Sequence, residues 1–410
     1  MTKLEEGQSD WITDFMTLTE GVNTPELFRL WSGISCVAGA LERRVWAKVG
    51  VYHTFPNLYV LLVAAPAVGK FVINTVRELW YSAKHPLTSG PAFCTAPDSI
   101  TKAALIDRLA KCKQTFLPPN GSPLTYHSLL IAAEEFGVLM PGWDNEFIAT
   151  LNSIYNNPTV PYAEERRHGP AREVSIENPC LNILGGAQPV WIGMTLPEEA
   201  WGMGLMTRII MVYQSEGVYH PVFYEPETPE GLKASLAKRL GKLATLYGQF
   251  GWAADAAAYM QEMDEKGYPP TPTHSKLSHY VRRRRLHIIK LALVSACSRQ
   301  SKMVIELVDV KRAIRWILQA EALMPDIFRD MIGRSDSQVI EELHYFITSL
   351  WAKSKGQAVH ESSLINFLSA RVPSEKVLKL IEVAERSNVI ERMAGTSTYK
   401  PRPKHDHGVE

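Results

Sequence analysis

Cysteine is scarce, with five in 410 residues. Cys36, Cys94, Cys112, Cys180 and Cys297 are odd in number and fall without metal-ligand spacing, which argues against a disulfide framework or a zinc module and for buried free thiols in a reducing compartment. A dominant charge is also missing: 44 Lys and Arg face 43 Asp and Glu, for a formal net charge of +1. Nothing global therefore marks a nucleic-acid binder, and any basic surface has to be local. No apolar run approaches the ~18 uncharged residues of a membrane-spanning helix. Met1 is followed by the acidic, polar residues Thr2–Asp10 rather than a basic segment and an apolar core, so the expectation is a cytoplasmic chain with no membrane partner. Internal repeats and low-complexity tracts are lacking too.

What stands out instead is Asn57-Leu58-Tyr59-Val60-Leu61-Leu62-Val63-Ala64-Ala65-Pro66-Ala67-Val68-Gly69-Lys70, a buried strand running into a small-residue turn that ends in Gly-Lys. A phosphate loop needs a strand to fix its base, small residues so that backbone N–H groups can wrap phosphates, and a lysine for the β/γ oxygens. Ala64 stands at the first glycine position, and Phe71 replaces the hydroxyl residue that would hold Mg²⁺. Residues 65–71 (Ala65, Pro66, Ala67, Val68, Gly69, Lys70, Phe71) are therefore either a degenerate phosphate loop or an ordinary strand–turn–helix connection. Gly241-Lys242 sits in a helical pattern without a preceding strand, so the dipeptide alone decides nothing.

Three further segments bear on chemistry. Ser128–Phe136 is an apolar strand terminated by Glu134 and Glu135; such a pair can hold a metal's water shell and polarise an attacking water, or can simply mark a chain leaving its core. Leu181–Gln188 is another apolar strand, ending in Gly185, Gly186 and the amide of Gln188, either a γ-phosphate sensor or a turn residue before Pro189. Trp201–Ile210 is a glycine-rich turn presenting Arg208 at the start of a strand, either an arginine finger or a partner for a surface carboxylate.

Pattern changes divide the chain into a helical collar (1–54), an alternating α/β core (55–225), a helical region (226–333), a final unit (334–403) and a tail (404–410). The core pattern places strands at Leu58–Val63, Ser128–Ala132, Leu181–Gly185 and Thr207–Tyr213, with helices near 72–82, 98–111 and 145–155, the signature of an α/β layer with a largely parallel sheet. The last unit reads as helices at 338–351, 361–370 and 374–387 and a hairpin across Ala394-Gly395-Thr396, the element order of a winged helix.

As an ordered set, Asn57…Gly69-Lys70, Thr95–Thr101, Leu130–Gly137, Leu181–Pro189 and Gly202…Arg208 resemble the RecA/AAA+-type ATPases of phages and mobile elements, including helicase-like replication proteins and the helicase half of primase–helicases. The resemblance covers roughly 25–330. It implies an α/β fold with a RecA/AAA+-like P-loop core, a helical N-terminal region, a helical lid and a C-terminal winged helix. It further implies ATP and Mg²⁺ as ligands, Lys70 on the phosphates, Glu134 and Glu135 as the acidic pair with Glu134 at the metal, Gln188 as sensor and Arg208 as finger. Ala64 and Phe71 depart from the family pattern.

The run Arg282-Arg283-Arg284-Arg285 resembles the lid of AAA+ helicases. Four consecutive residues span more than a helical turn and cannot share one ligand, so Arg282 and Arg285 are expected at nucleotide or a neighbouring subunit and Arg283 and Arg284 at nucleic acid, against the alternative of a solvated basic face. In the last unit, Lys376, Lys379, Arg392 and Lys400 are the candidate phosphate contacts; its near-balanced charge leaves protein docking as the other use. Two functions follow: a ring-forming, ATP-driven motor on nucleic acid, such as a phage-type replicative DNA helicase, or a nucleotide-binding loader or scaffold with weak or no hydrolysis. The first implies a homo-oligomer, hexameric by analogy, with single-stranded DNA and a primase or other replication protein as partners.

Overall fold

The computed structural model describes residues 10–402, save 98–99, 118–120, 141, 143, 166–172, 197, 202–203, 273 and 370–373. Parts of the segments expected at 98–111 and 361–370, the glycine turn at Gly202-Met203 and the tail at 404–410 thus lie outside the described residues. The chain divides into two compact units, Met1–Ile327 and Phe328–Glu410.

The first unit opens with α1 (Trp11–Leu18), capped by the Asp10 carboxylate, which accepts from the Ile12 N–H. In α2 (Glu26–Leu41) nearly every residue from Phe28 onward is buried. A helix apolar on all sides has to be enclosed, and its small residues permit it: a Cβ on Gly39 would stand 2.6 Å from the Trp80 ring. β1 (Val45–Val49) and β2 (Tyr52–Thr54) follow as an antiparallel hairpin, which corrects the reading of 1–54 as wholly helical. Next come β3 (Tyr59–Val63), buried at every position, and α3 (Val72–Ser82).

The chain continues through α4 (Lys102–Lys111), β4 (Lys113–Phe116), β5 (Leu124–Ala133), the single turn α5 (Phe136–Leu139) and α6 (Asn145–Tyr155). An antiparallel pair, β6 (Tyr162–Glu165) and β7 (Glu173–Ile176), precedes β8 (Pro179–Ala187), α7 (Pro189–Thr195) and β9 (Ile209–Tyr213). The main sheet has the order β4-β5-β8-β3-β9. β5, β8, β3 and β9 are parallel, and β4 lies antiparallel on the β5 edge. This is the mixed α/β architecture with a largely parallel sheet that the alternating pattern implies. From β3 the chain moves two places along the sheet to β5, returns to insert β8 between them, and then places β9 on the far side of β3. The connections that leave the adjacent strands β3 and β8 run in opposite directions along the sheet, and in open α/β sheets ligands bind outside the carboxyl ends of strands at such a reversal.

The rest of the first unit holds α8 (Leu232–Leu243), β10 (Gly248–Trp252), α9 (Ala254–Glu265), α10 (Ser278–Val281), α11 (Arg284–Ser298) and β11 (Val304–Ile305). β10 and β11 correct the reading of 226–333 as a helical region. With β1 and β2 they form a second sheet, ordered β11-β10-β1-β2, in which β1 and β10 are parallel. α12 (Leu307–Lys353) is continuous through Arg334-Ser335-Asp336, where the composition had suggested a break.

The second unit contains β12 (Val359–His360), α13 (Glu361–Ser369), α14 (Ser374–Arg386), β13 (Ile390–Arg392) and β14 (Thr398–Pro401). Its strands form an antiparallel sheet ordered β12-β14-β13. Leu343, Ile347, Leu364, Leu380, Ile381 and Tyr399 lie in its core. Among the described residues no helix is long and apolar enough to cross a membrane.

Candidate functional site

At the carboxyl end of β3 the chain passes between the tips of its two neighbours: the Ala64 N–H donates to the Ala187 carbonyl at 3.1 Å, and the Gln214 N–H to the Val63 carbonyl at 3.1 Å. The following loop holds two residues in the left-handed region, Ala67 (φ 66°) and Gly69 (φ 94°). Gly69 is required twice over, because a Cβ there would also stand 2.0 Å from the Asn23 carbonyl oxygen. The Lys70 ammonium folds back to the Ala64 carbonyl at 3.4 Å, closing the loop on its own base.

α3 starts directly after this loop. Phe71 at its N-cap has no side-chain acceptor for the first-turn N–H groups, so the positive end of the helix faces the loop without a side-chain cap. Phe71 is 63% exposed.

The acidic pair reaches the same edge. Glu134 and Glu135 follow the last residue of β5 and are both exposed. The Asn74 side-chain amide, one turn beyond Lys70 on α3, donates to the Glu134 carboxylate. Gly186 near the end of β8 makes the convergence possible: a Cβ there would stand 2.1 Å from the Glu134 carbonyl oxygen and 3.0 Å from Cδ of Lys70. The lysine stem and the β5 tip therefore meet over a bare backbone. Partial burial pulls the Lys70 ammonium below its usual range, and Glu135 and then Glu134 offset part of that. Gln188, half-buried, follows β8 between the tips of β5 and β3 and N-caps α7. Lys70, Glu134, Glu135 and Gln188, read from three separate stretches of sequence, thus share one edge of one sheet.

Two other segments border the loop. The Tyr219 hydroxyl lies 3.5 Å from the Ala67 carbonyl, and the Asn23 side-chain oxygen accepts from the His220 N–H at 3.0 Å. Asn74, Asn23 and Tyr219 escaped the sequence reading, and Gly186 was read only as part of a small-residue strand end. Asn74 was within reach, four residues from Lys70 and so on the same helix face; the others depend on chain segments brought together only by folding.

The arginines go elsewhere. Arg208 precedes β9 and so lies at the amino edge of the sheet, opposite Lys70. It is 7% exposed, and its guanidinium donates to the Gly204 carbonyl at 2.6 Å and reaches the Asn156 side-chain oxygen at 3.5 Å. The segment 282–285 reaches the same amino edge, because α11 is anchored there. Its Lys290 ammonium donates to the Asn57 carbonyl and side-chain oxygens at 2.8 and 2.6 Å, and His287 Nε2 bonds the Thr207 carbonyl at 3.1 Å. Asn57 and Ala64 bracket the length of β3, about 20 Å at a strand's rise per residue. Arg282 and Arg285 are therefore not gathered with Lys70 of the same chain, which leaves a neighbouring subunit of the two contacts expected for them.

Arg284, expected at nucleic acid, is 1% exposed and paired with Glu321 at 2.6 Å, with further bonds to the Gly267 and Pro270 carbonyls. The helix turns that residue into the core while Arg282 and Arg285 stay outside. Arg285 pairs with Asp264 at 3.0 Å.

In the second unit, Lys376 and Lys379 are exposed on α14. Lys400 and Arg402 both bind Glu391, at 3.3 and 3.0 Å, and Arg392 stacks over Tyr399 and donates to the Thr396 carbonyl. Compared with known proteins, the chain matches no family model and no curated sequence.

Proposed function

We propose that the chain is a P-loop ATPase of RecA/AAA+ type that works on nucleic acid, with ATP held at the carboxyl edge of β3. The observation that carries this is the meeting of Lys70, Glu134 and Glu135 over Gly186 at the point where the winding of the sheet reverses. The backbone N–H groups of residues 65–71 and the open start of α3 suit an anion, and Lys70 supplies the charge for the β/γ oxygens. The donor set fits Mg²⁺ as well. That ion takes one or two carboxylates with waters and substrate phosphates, and Glu134, steadied by Asn74, is the residue that would hold it. Bound there, the ion would neutralise charge on the transferring phosphoryl group. Glu135 would orient and deprotonate water, and Gln188 would lie beside the terminal phosphate.

With Arg208 held at the far edge of its own sheet, a second cation at this phosphate would come from a neighbouring subunit. That is the physical reason for including ring assembly in the proposal. A replicative helicase is the form of such a motor that the order of motifs favours. The second unit suits a winged helix, with α13 and α14 packed on a three-stranded sheet; Glu391's neutralisation of Lys400 and Arg402 favours docking to a protein over a grip on DNA.

One observation favours a second reading, a nucleotide-binding loader or scaffold. Phe71 presents a ring to solvent where the ATPase pattern has a hydroxyl for the metal. Steady-state ATP hydrolysis with and without single-stranded DNA separates the two. Turnover stimulated by DNA supports the motor, while tight ATP binding without turnover supports the scaffold.

A further inference from the structure

The amino edge of the main sheet carries an open groove of about 500 Å³, lined among others by Tyr52, His53, Tyr155, Arg282, Arg283 and Lys290. It adjoins a second groove of about 300 Å³, with Trp252 and Tyr268 in its wall, and the two share Val49, Arg285 and Ile289. The result is one track in which aromatic rings, Tyr52 and Tyr155 in the first groove and Trp252 in the second, lie among the basic residues Arg282, Arg283, Arg285 and Lys48.

Its charges are only partly compensated. Among the described residues Arg282 and Arg283 have no carboxylate partner, and Arg285 alone of the arginines lining the track has one, Asp264. Lys290, 2% exposed in the floor, is met by the neutral oxygens of Asn57 and lies over the Tyr155 ring at 4.1 Å. Arg208, whose guanidinium bonds the Gly204 carbonyl and reaches the Asn156 side-chain oxygen, has no carboxylate partner among the described residues either. Burial pulls Lys290 down to about 7, partly offset by Cys180 and reinforced by Arg283 and Arg208. A buried cation among like charges is stabilised by an incoming anion. At the rim Tyr52 is 74% exposed, and His53 beside it is exposed too.

We infer that this track binds the phosphodiester backbone of a single-stranded nucleic acid, with Arg282 and Arg283 on phosphates, Lys290 deepening the positive field, and Tyr52 and Trp252 offering ring faces to bases. A polymer fits better than a mononucleotide because basic and aromatic side chains run together through two consecutive grooves, the pairing of backbone and base contacts that single strands use. The inference rests on the reading of the chain as an ATPase acting on nucleic acid. It assigns the polymer to the edge of the sheet opposite the ATP site.

The test uses the full chain, fluorescein-labelled oligodeoxythymidylate and oligouridylate in parallel, and a fluorescent ATP analogue in a separate titration. The double variant Arg282→Ala/Arg283→Ala should weaken oligonucleotide binding at least about tenfold and reduce the slope of log affinity against log salt by about 1.4, at ~0.7 for each single-strand phosphate that is no longer neutralised. Its affinity for the ATP analogue should be unchanged, which also reports that the variant is folded. Photocrosslinking of halogenated oligonucleotide to the parent should label peptides carrying Tyr52 or Trp252. Unchanged oligonucleotide affinity in the variant, or crosslinks confined to other segments, would overturn the site and leave the ATP reading standing. Failure of the parent to bind either oligonucleotide would overturn it too, with the analogue titration still deciding the ATP site. Parallel loss of analogue binding in the variant would make the groove a mononucleotide site and refute the inference. The relative affinities for the two oligonucleotides distinguish DNA from RNA as the source of the backbone.

Discussion

Two adjacent glycines of β8 make the ATP reading testable without touching a charged residue. A Cβ at Gly186 would stand 2.1 Å from the Glu134 carbonyl oxygen, whereas ordinary contact begins beyond 3.4 Å, so the β5 tip would have to retreat by about 1.3 Å. That oxygen is backbone, and its movement carries Glu134 and Glu135 away from Lys70, whose Cδ is itself 3.0 Å from the new methyl. Displacements on the order of 1 Å in a catalytic constellation cost about a hundredfold in rate, and overpacking a core costs about 1–3 kcal/mol of stability. Gly185→Ala is the internal control. Its Cβ would meet Cδ2 of Leu61 at 2.9 Å and Cδ2 of Phe136 at 3.1 Å, side-chain atoms that can turn aside where the backbone carbonyl of Glu134 cannot. Both variants should lose comparable stability in urea unfolding, while only Gly186→Ala should lose ATP-analogue affinity, and any ATPase activity, by at least about tenfold. Equal analogue binding by parent and Gly186→Ala would show that the meeting of Lys70 with the β5 tip has no part in nucleotide binding.

Lys70→Ala should abolish binding of a fluorescent ATP analogue with little change in melting temperature, since the half-exposed ammonium contacts one carbonyl oxygen of its own loop. Phe71→Thr should supply the missing hydroxyl and raise steady-state hydrolysis by about tenfold, equivalent to about 1.4 kcal/mol of barrier; an unchanged rate would mean that metal placement does not limit turnover. His287 is pushed down to about 3, chiefly by burial. Between that value and its ordinary 6.5 the unfolded chain holds the extra proton, so stability falls as pH drops through this window, by at most about 1.4 kcal/mol per unit. His287→Gln should show a shallower loss between pH 6 and 5 (roughly the upper part of that window) in parallel urea titrations, and identical slopes would contradict the neutral buried imidazole.

The sequence by itself determined the elements whose signal is local. Short apolar runs at Tyr59–Val63 and Leu129–Ala133, and Cys180–Leu184 interrupted only by Asn182, read as strands buried on both faces, and the Pro/Ala/Gly turn after the first has to break the strand before a helix can begin. Strands that leave a core in Glu134-Glu135 and in Gly185-Gly186-Ala187-Gln188 carry their polar ends with them, so the contents of the carboxyl edge were legible once those strands were taken as parallel neighbours. Tertiary structure decided the strand order, which needs pairings between segments far apart in the chain. It also decided the second sheet: Val45–Ala47 pairs with Gly248–Phe250, and β10, with its glycines and exposed positions, has too little apolar alternation to announce itself. The arginines show the same division. Their sequence states that a basic turn exists; only the anchoring of α11 through Lys290 to Asn57 and through His287 to Thr207 decides that it reaches the amino edge, and only helix rotation decides that Arg284 enters the core while Arg282 remains outside. Periodicity is set by neighbours along the chain, whereas which edge a side chain reaches is set by packing between elements that the local pattern does not encode.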